Sequence, residues 1–331
     1  MSTTTQRIAR ALTAVAALSM LSLGAAHAQT AATYPNKPVK VVVGFSAGGG
    51  LDVLARIVAQ RMSEQTGQQF VVENRPGAGS NIAGDMVAKS AADGYTLLHT
   101  NAALMSINPA MYTKMPFSPM KELAPLSQLV RLPLVVTVRN ELPIKNLAEL
   151  RDYARANPGK LNMGSGGNGG SPHLALELFK SQNKLNIVHV PYKGSADALK
   201  DMLGGSVDLM IDAISVSAAQ VKAGKLRAIA MVSDARSPAM PDVSTSIEQG
   251  FPEYQLMGWQ GWVVPTGTPK DIVAKLSSEL QKAVRDPATN KRIEEAGYFV
   301  VGGSAEEFDA LLKRDAVRYA ELVRISGAKI D

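Results

Sequence analysis

One unit recurs along this chain: a short β-branched run, a turn rich in Gly, Ser, Asn or Pro, then a stretch with apolar residues at helical spacing. Such alternation marks layered α/β folds, where a helix crosses back over the sheet between strands, and it predicts mostly parallel strands. Val39 to Val43 runs through Gly44, Phe45, Ser46, Ala47, Gly48, Gly49 and Gly50 into a helix carrying Leu54, Ile57, Val58 and Met62. Phe70 to Val72 leads through Asn74, Arg75, Pro76 and the Gly77 to Ser80 turn into a helix ending at Lys89. Tyr95 to His99 follows the Asp93-Gly94 turn.

The stretch from Met115 to Pro133 holds four prolines and no helical period, which places a boundary there. Beyond it the grammar resumes with strands at Leu134 to Val138, Leu161 to Met163, Ile187 to Val190, Val207 to Ile211 and Leu226 to Val232. Gly258 to Val264 should return the chain to the first unit. The expected layout is thus one lobe from residues 34–131 plus 255–331 and a second from 132–254. Two crossings between lobes imply a hinge. Thr268 should cap a helix with Pro269 at its first position and Asp271 in its first turn. Ser304 and Glu307 are spaced as a capping box, ahead of Phe308, Leu311, Leu312, Tyr319 and Leu322 on one face.

At the N-terminus Arg7 and Arg10 precede an uncharged apolar run to Gly24 and the small-residue pattern Ala26, His27, Ala28. This is the form of an export signal, residues 1–28, which predicts a periplasmic protein starting at Gln29. No later stretch reaches the roughly 18 to 20 apolar residues that a membrane crossing needs. The chain has no cysteine, which removes disulfides, thiolate metal sites and a lipidated anchor together. Cleavage would take two of 35 basic side chains and none of 29 acidic ones, leaving about +4. So small an excess argues against a nucleic-acid partner and suits, at most, weak attraction of anions.

Chemistry concentrates in the glycine loops. In open α/β sheets ligands lie beyond the carboxyl ends of strands, where following helices begin. Unpaired backbone N–H groups and the helix dipole make that place attractive to anions, and glycine admits a ligand close to the backbone. Loops 44–52 and 164–171 fall in different expected lobes, so closure would bury a carboxylate between them. Gly164, Gly166 and Gly169 match G-x-G-x-x-G, but the next strand ends at His189-Val190-Pro191 without the acidic residue a dinucleotide ribose requires. Gly44 and Gly49 open a P-loop pattern that Gly50-Leu51 breaks. No H-E-x-x-H occurs, so a metalloprotease is not indicated. No cofactor is expected.

Seven blocks in order resemble one family, the Bug or TctC-like extracytoplasmic solute receptors of tripartite tricarboxylate transporters. They are VVVGFSAGGGLDVLAR (Val41 to Arg56), VVENRPGAGSNIAGD (Val71 to Asp85), AADGYTLL (Ala91 to Leu98), PHLALELFK (Pro172 to Lys180), VPYKGSADAL (Val190 to Leu199), GGSVDLMID (Gly204 to Asp212) and GTPKDIV (Gly267 to Val273). The resemblance implies a two-lobed periplasmic-binding-protein fold, type II-like. It also implies a small organic carboxylate ligand and delivery to a membrane permease of one large and one small subunit. Its positions for ligand contact are Phe45, Ser46, Ala47, Gly48, Gly49 and Asp52 in the first loop. In the second they are Ser165, Gly166, Asn168, Ser171 and His173. Ser46 stands where the family often has proline, and Leu51 where a small hydroxyl residue is common.

Asn81, Asn101 and Asp212 are further candidate liners, Asp212 as an acceptor for an amino or hydroxyl group. Asp52, in a first helical turn, reads as a cap as readily as a ligand contact. Arg75 and Lys193 stand at strand ends where a second carboxylate could pair. A diffusing receptor of this kind is expected to be a monomer without a membrane anchor. A ligand sensor that docks to a membrane kinase fits the same residues, and a secreted hydrolase is the rival from another class.

Overall fold

A computed structural model describes residues 33–168, 170–192 and 194–326. The expected export signal lies outside the described residues. From Pro35 onward the chain forms one compact unit built on two sheets.

The first sheet has the order β11-β4-β10-β3-β1-β2. Its strands are β1 (Val39–Val43), β2 (Phe70–Asn74), β3 (Thr96–Asn101), β4 (Leu123–Leu132), β10 (Gly258–Pro265) and β11 (Phe299–Val300). The second has the order β7-β6-β8-β5-β9. It comprises β5 (Leu134–Arg139), β6 (Asn162–Ser165), β7 (Val188–Pro191), β8 (Leu209–Ala213) and β9 (Leu226–Met231). The chain therefore leaves the first sheet at Pro133 and returns to it between Met231 and Gly258.

The expectation of mostly parallel strands is corrected to mixed sheets. β1 pairs in parallel with β2 and β3, and β6 with β7 and β8, as crossover helices dictate. The strands next to the two passages run the other way: β10 is antiparallel to β3 and β4, and β5 to β8 and β9. A strand arriving from the other sheet has no crossover helix to set its direction.

The proline-rich stretch before Pro133 also holds more order than its composition suggested, because β4 runs through it. Pro125 is accommodated where β4 faces Val263 beside a register shift, the kind of bulge where a missing N–H costs no ladder bond. The helix expected to start at Pro269 starts at Lys270, and Thr268 donates its hydroxyl to the Pro265 carbonyl instead of capping. The Ser304/Glu307 box forms on both sides, with Ser304 N–H to Glu307 Oε2 at 2.8 Å and Glu307 N–H to Ser304 Oγ at 3.2 Å.

Each sheet buries β-branched and aliphatic side chains under its helices; Val41, Val42, Leu97 and Leu98 are fully buried in the first, and Val136, Met163 and Leu209 in the second. The final helix, Ala305–Ser326, packs on β4 and on the helix Ser171–Asn183, which follows β6. Its buried Phe308, Leu312, Tyr319 and Leu322 are the face the periodicity predicted.

Candidate functional site

A cavity of about 520 Å³ is lined from both sheets. Four helices begin at it: Gly50–Thr66, Ser171–Asn183, Ser195–Leu203 and Ile214–Lys222. Their cap positions are Gly49, Gly170, Gly194 and Ala213, none of which supplies a side-chain cap. Glycine and alanine have no side-chain acceptor, so the first-turn N–H groups and the positive dipole end are left for something else to satisfy.

The first loop contributes Phe45, Gly50 and Leu51, and the second Gly166, Gly167, Asn168, Gly170, Ser171 and Pro172. Asn101 lines the cavity at the end of β3, its side-chain oxygen accepting from Leu104 N–H at 3.3 Å. Asp212 lines it from the end of β8. Its Oδ2 accepts from Ser195 Oγ at 2.5 Å and its Oδ1 from Ala213 N–H at 2.7 Å. Burial raises its pKa, against these two hydrogen bonds.

Other expected contacts do not line the cavity. Ser46, Ala47, Gly48 and Gly49 are not among the lining residues. Asp52 is buried; its Oδ2 accepts from Gly48 N–H at 2.9 Å, and it binds Arg56 and Asn74, whose Nδ2 also donates to the Phe45 carbonyl at 3.0 Å. Burial works against that carboxylate, yet the donors of Arg56, Gly48 and Asn74 together hold its pKa down to about 2. Asp52 thus shapes the loop that carries Phe45.

Asn81 accepts from Asn108 Nδ2 at 2.8 Å, and Asn108 also donates to the Gly79 carbonyl at 2.9 Å. Asn108 and Gly79 line the cavity, so Asn81 steadies them. The turn is strained: Gly77, Ala78, Gly79 and Ser80 all have positive φ.

Ser165 and His173 do not line it either. Ser165 Oγ sits 2.6 Å from His189 Nε2 and donates to the Gly167 carbonyl at 2.9 Å, bracing the second loop. The His173 and His189 rings stack at 3.8 Å, with Glu177 3.7 Å from His173. Burial and the neighbouring His173 push the His189 pKa down to about 4. Arg75 is exposed and paired with Glu73, away from the cavity, and Tyr192 donates to Asp201 at 2.8 Å. Lys193 lies outside the described residues.

Several lining residues had no loop signal. Trp259 and Gln260 come from β10, and Tyr298 donates to the Gly50 carbonyl at 3.1 Å. Trp259 is held by Asp315 Oδ2, which accepts its indole N–H at 2.7 Å from the final helix. Ser195, Ser215 and Leu132 complete the polar and apolar wall. Chemically, the arrangement can hold an anion by backbone amides and neutral polar side chains against aromatic and aliphatic surface.

Residues 54–327 match the model of the tripartite tricarboxylate transporter family receptor. This chain belongs to that family. BugT of Bordetella pertussis is 33% identical to the receptor over 96% of this chain and 98% of its own length. Among solved structures, the R. palustris protein Rpa4515 with adipate is 34% identical with TM-score 0.81, covering 90% of the receptor and 100% of that chain. MatC from Rhodopseudomonas palustris with bound malate is 30% identical with TM-score 0.76, covering 88% and 100%. The receptor therefore has the two-sheet α/β fold of these periplasmic binding proteins. Among its described residues, no helix is long and apolar enough to cross a membrane.

Proposed function

We propose that the receptor captures a small organic carboxylate in its cavity and presents it to a membrane permease of one large and one small subunit. On this reading it is exported to the periplasm and performs no chemistry on its ligand. The observation that carries it is the convergence of four uncapped helix N-termini on one cavity. Such a site favours an anion without needing a cationic side chain. Family membership and the carboxylates named with Rpa4515 and MatC support the same class of ligand.

Residues 34–131 plus 255–331 form one lobe and 132–254 the other, hinged at Pro133 and in the segment between Met231 and Gly258. Phe45, Asn101, Gly166, Asn168, Ser171 and Asp212 face the ligand. Ser46, Ala47, Gly48, Gly49, Asp52, Asn81, Ser165 and His173 act through the loops they shape.

Thermal unfolding against aliphatic, hydroxy-, amino- and aromatic carboxylates tests this. A ligand bound only by the native state at 100 times its dissociation constant adds about 2.7 kcal/mol, a readily measured upward shift. A receptor unmoved by the whole panel, or one that consumes a panel member, contradicts the reading.

A further inference from the structure

A carboxylate of the chain itself already stands at two of the four helix N-termini at the cavity. The Asp212 carboxylate accepts from the side-chain hydroxyl of Ser195, the first residue of one helix, and from the N–H of Ala213, the residue that precedes the next. It therefore stands where an incoming anion would otherwise sit. The N-termini at Gly50 and Ser171 carry glycine caps and keep that capacity for the ligand. Of the described residues that line the cavity, Asp212 is the one with a charged side chain.

We propose that the ligand is a monocarboxylate whose far end carries a hydrogen-bond donor, a hydroxyl or an ammonium, and that Asp212 selects it. This rests on the carboxylate-receptor reading above and narrows it. A carboxylate has about four lone-pair directions, and Ser195 and Ala213 use two, so Asp212 can accept another donor. A second ligand carboxylate would meet a like charge in a site 7% exposed, where water screens poorly. Between the two ends Leu51, Leu132, Leu134, Val216 and Trp259 offer apolar surface to a hydrocarbon body.

Calorimetric titration of the full mature chain with four matched probes tests this: adipate, hexanoate, and hexanoates tipped with a hydroxyl or an ammonium, extended to shorter and aromatic analogues. The tipped acids should bind roughly 10-fold or more tightly than the matched dicarboxylate. Asp212→Asn, which preserves shape, should shrink that ratio toward one. A wild-type preference for dicarboxylates overturns the inference and leaves the receptor reading standing. So does an unchanged ratio in Asp212→Asn. Dicarboxylate binding that drops about 10-fold in Lys193→Ala overturns it as well, by assigning the second anion to that lysine. A protein that binds no member of the panel overturns both readings together.

Discussion

The indole N–H of Trp262 donates to Nδ1 of His99 at 2.6 Å, so that nitrogen must keep its lone pair. The imidazole proton therefore belongs on Nε2, which lies 2.8 Å from Gln260 Oε1. This engages the Gln260 side-chain carbonyl with His99 and leaves its amide hydrogens for other partners. Because Gln260 lines the cavity, a fully buried histidine orients a wall residue.

Acid should therefore loosen the protein well above the carboxylate range. Burial, only partly offset by Gln260, depresses the His99 pKa to about 4, against about 6.5 when unfolded. Between those values the unfolded chain binds more protons. Stability is full above about pH 6.5 and falls as pH drops toward 4, by on the order of 3 kcal/mol for this group. Urea midpoints at neutral pH and near pH 4.5 measure the loss. His189 is depressed too, so His99→Gln should flatten the profile only in part. An unaltered profile in that variant would refute the assignment to His99.

Asp52 acts lower on the scale. Its pKa near 2 means its ion pair contributes above about pH 4 and is lost as pH falls through 2. Arg56 is 52% exposed, so screening reduces the pair to roughly 1 to 2 kcal/mol. Asp52→Ala should lower the melting temperature at neutral pH and weaken ligand binding through the freed Phe45 loop. Equal affinity in the variant would show that the loop holds without it.

Gly166 is constrained by space. A Cβ there would lie 2.7 Å from Ser195 Oγ and 2.9 Å from the Ser195 backbone nitrogen. Gly166→Ala must push the start of the helix Ser195–Leu203, so about a 10-fold loss of affinity is expected, with a fold cost of roughly 1 to 3 kcal/mol. Gly48 differs: open space surrounds it, and its φ of +84° alone penalises a side chain, by about 1 kcal/mol. Titration of the two alanine variants should separate them, binding failing mainly at Gly166.

Asp212 should be a stability cost. Its pKa is raised by burial, so the folded state holds its proton to higher pH than the unfolded state does. Stability falls as pH rises through that window, and the penalty is full above it. Asp212→Asn should be more stable at neutral pH by about 1 kcal/mol, the gain shrinking below about pH 4. Denaturant melts at both pH values read this directly; a destabilised Asn variant would contradict it.

Much of this was legible because glycine and β-branched residues report backbone geometry locally. β1 ends where its valines end, and the loops at 44–52 and 164–171 both reach the cavity. What stayed hidden depends on contacts far along the chain. β4 was masked by Pro125, whose tolerance comes from a bulge against Val263. Trp259 and Gln260 look like ordinary strand core, and Tyr298 reaches Gly50 across 248 positions. Asp52 and His173 carry polar groups suited to a ligand, yet nearby partners claim them first.

Leu132 and Leu134 both line the cavity, and the single residue between them, Pro133, is where the chain changes sheets. On the proposed two-lobe reading both leucines sit beside the hinge, while Phe45 and Asn168 belong to loops of opposite sheets. Points near an axle travel little when the arms swing. With lobes that hinge there, a departing solute should lose the loops of Phe45 and Asn168 before it leaves the two leucines.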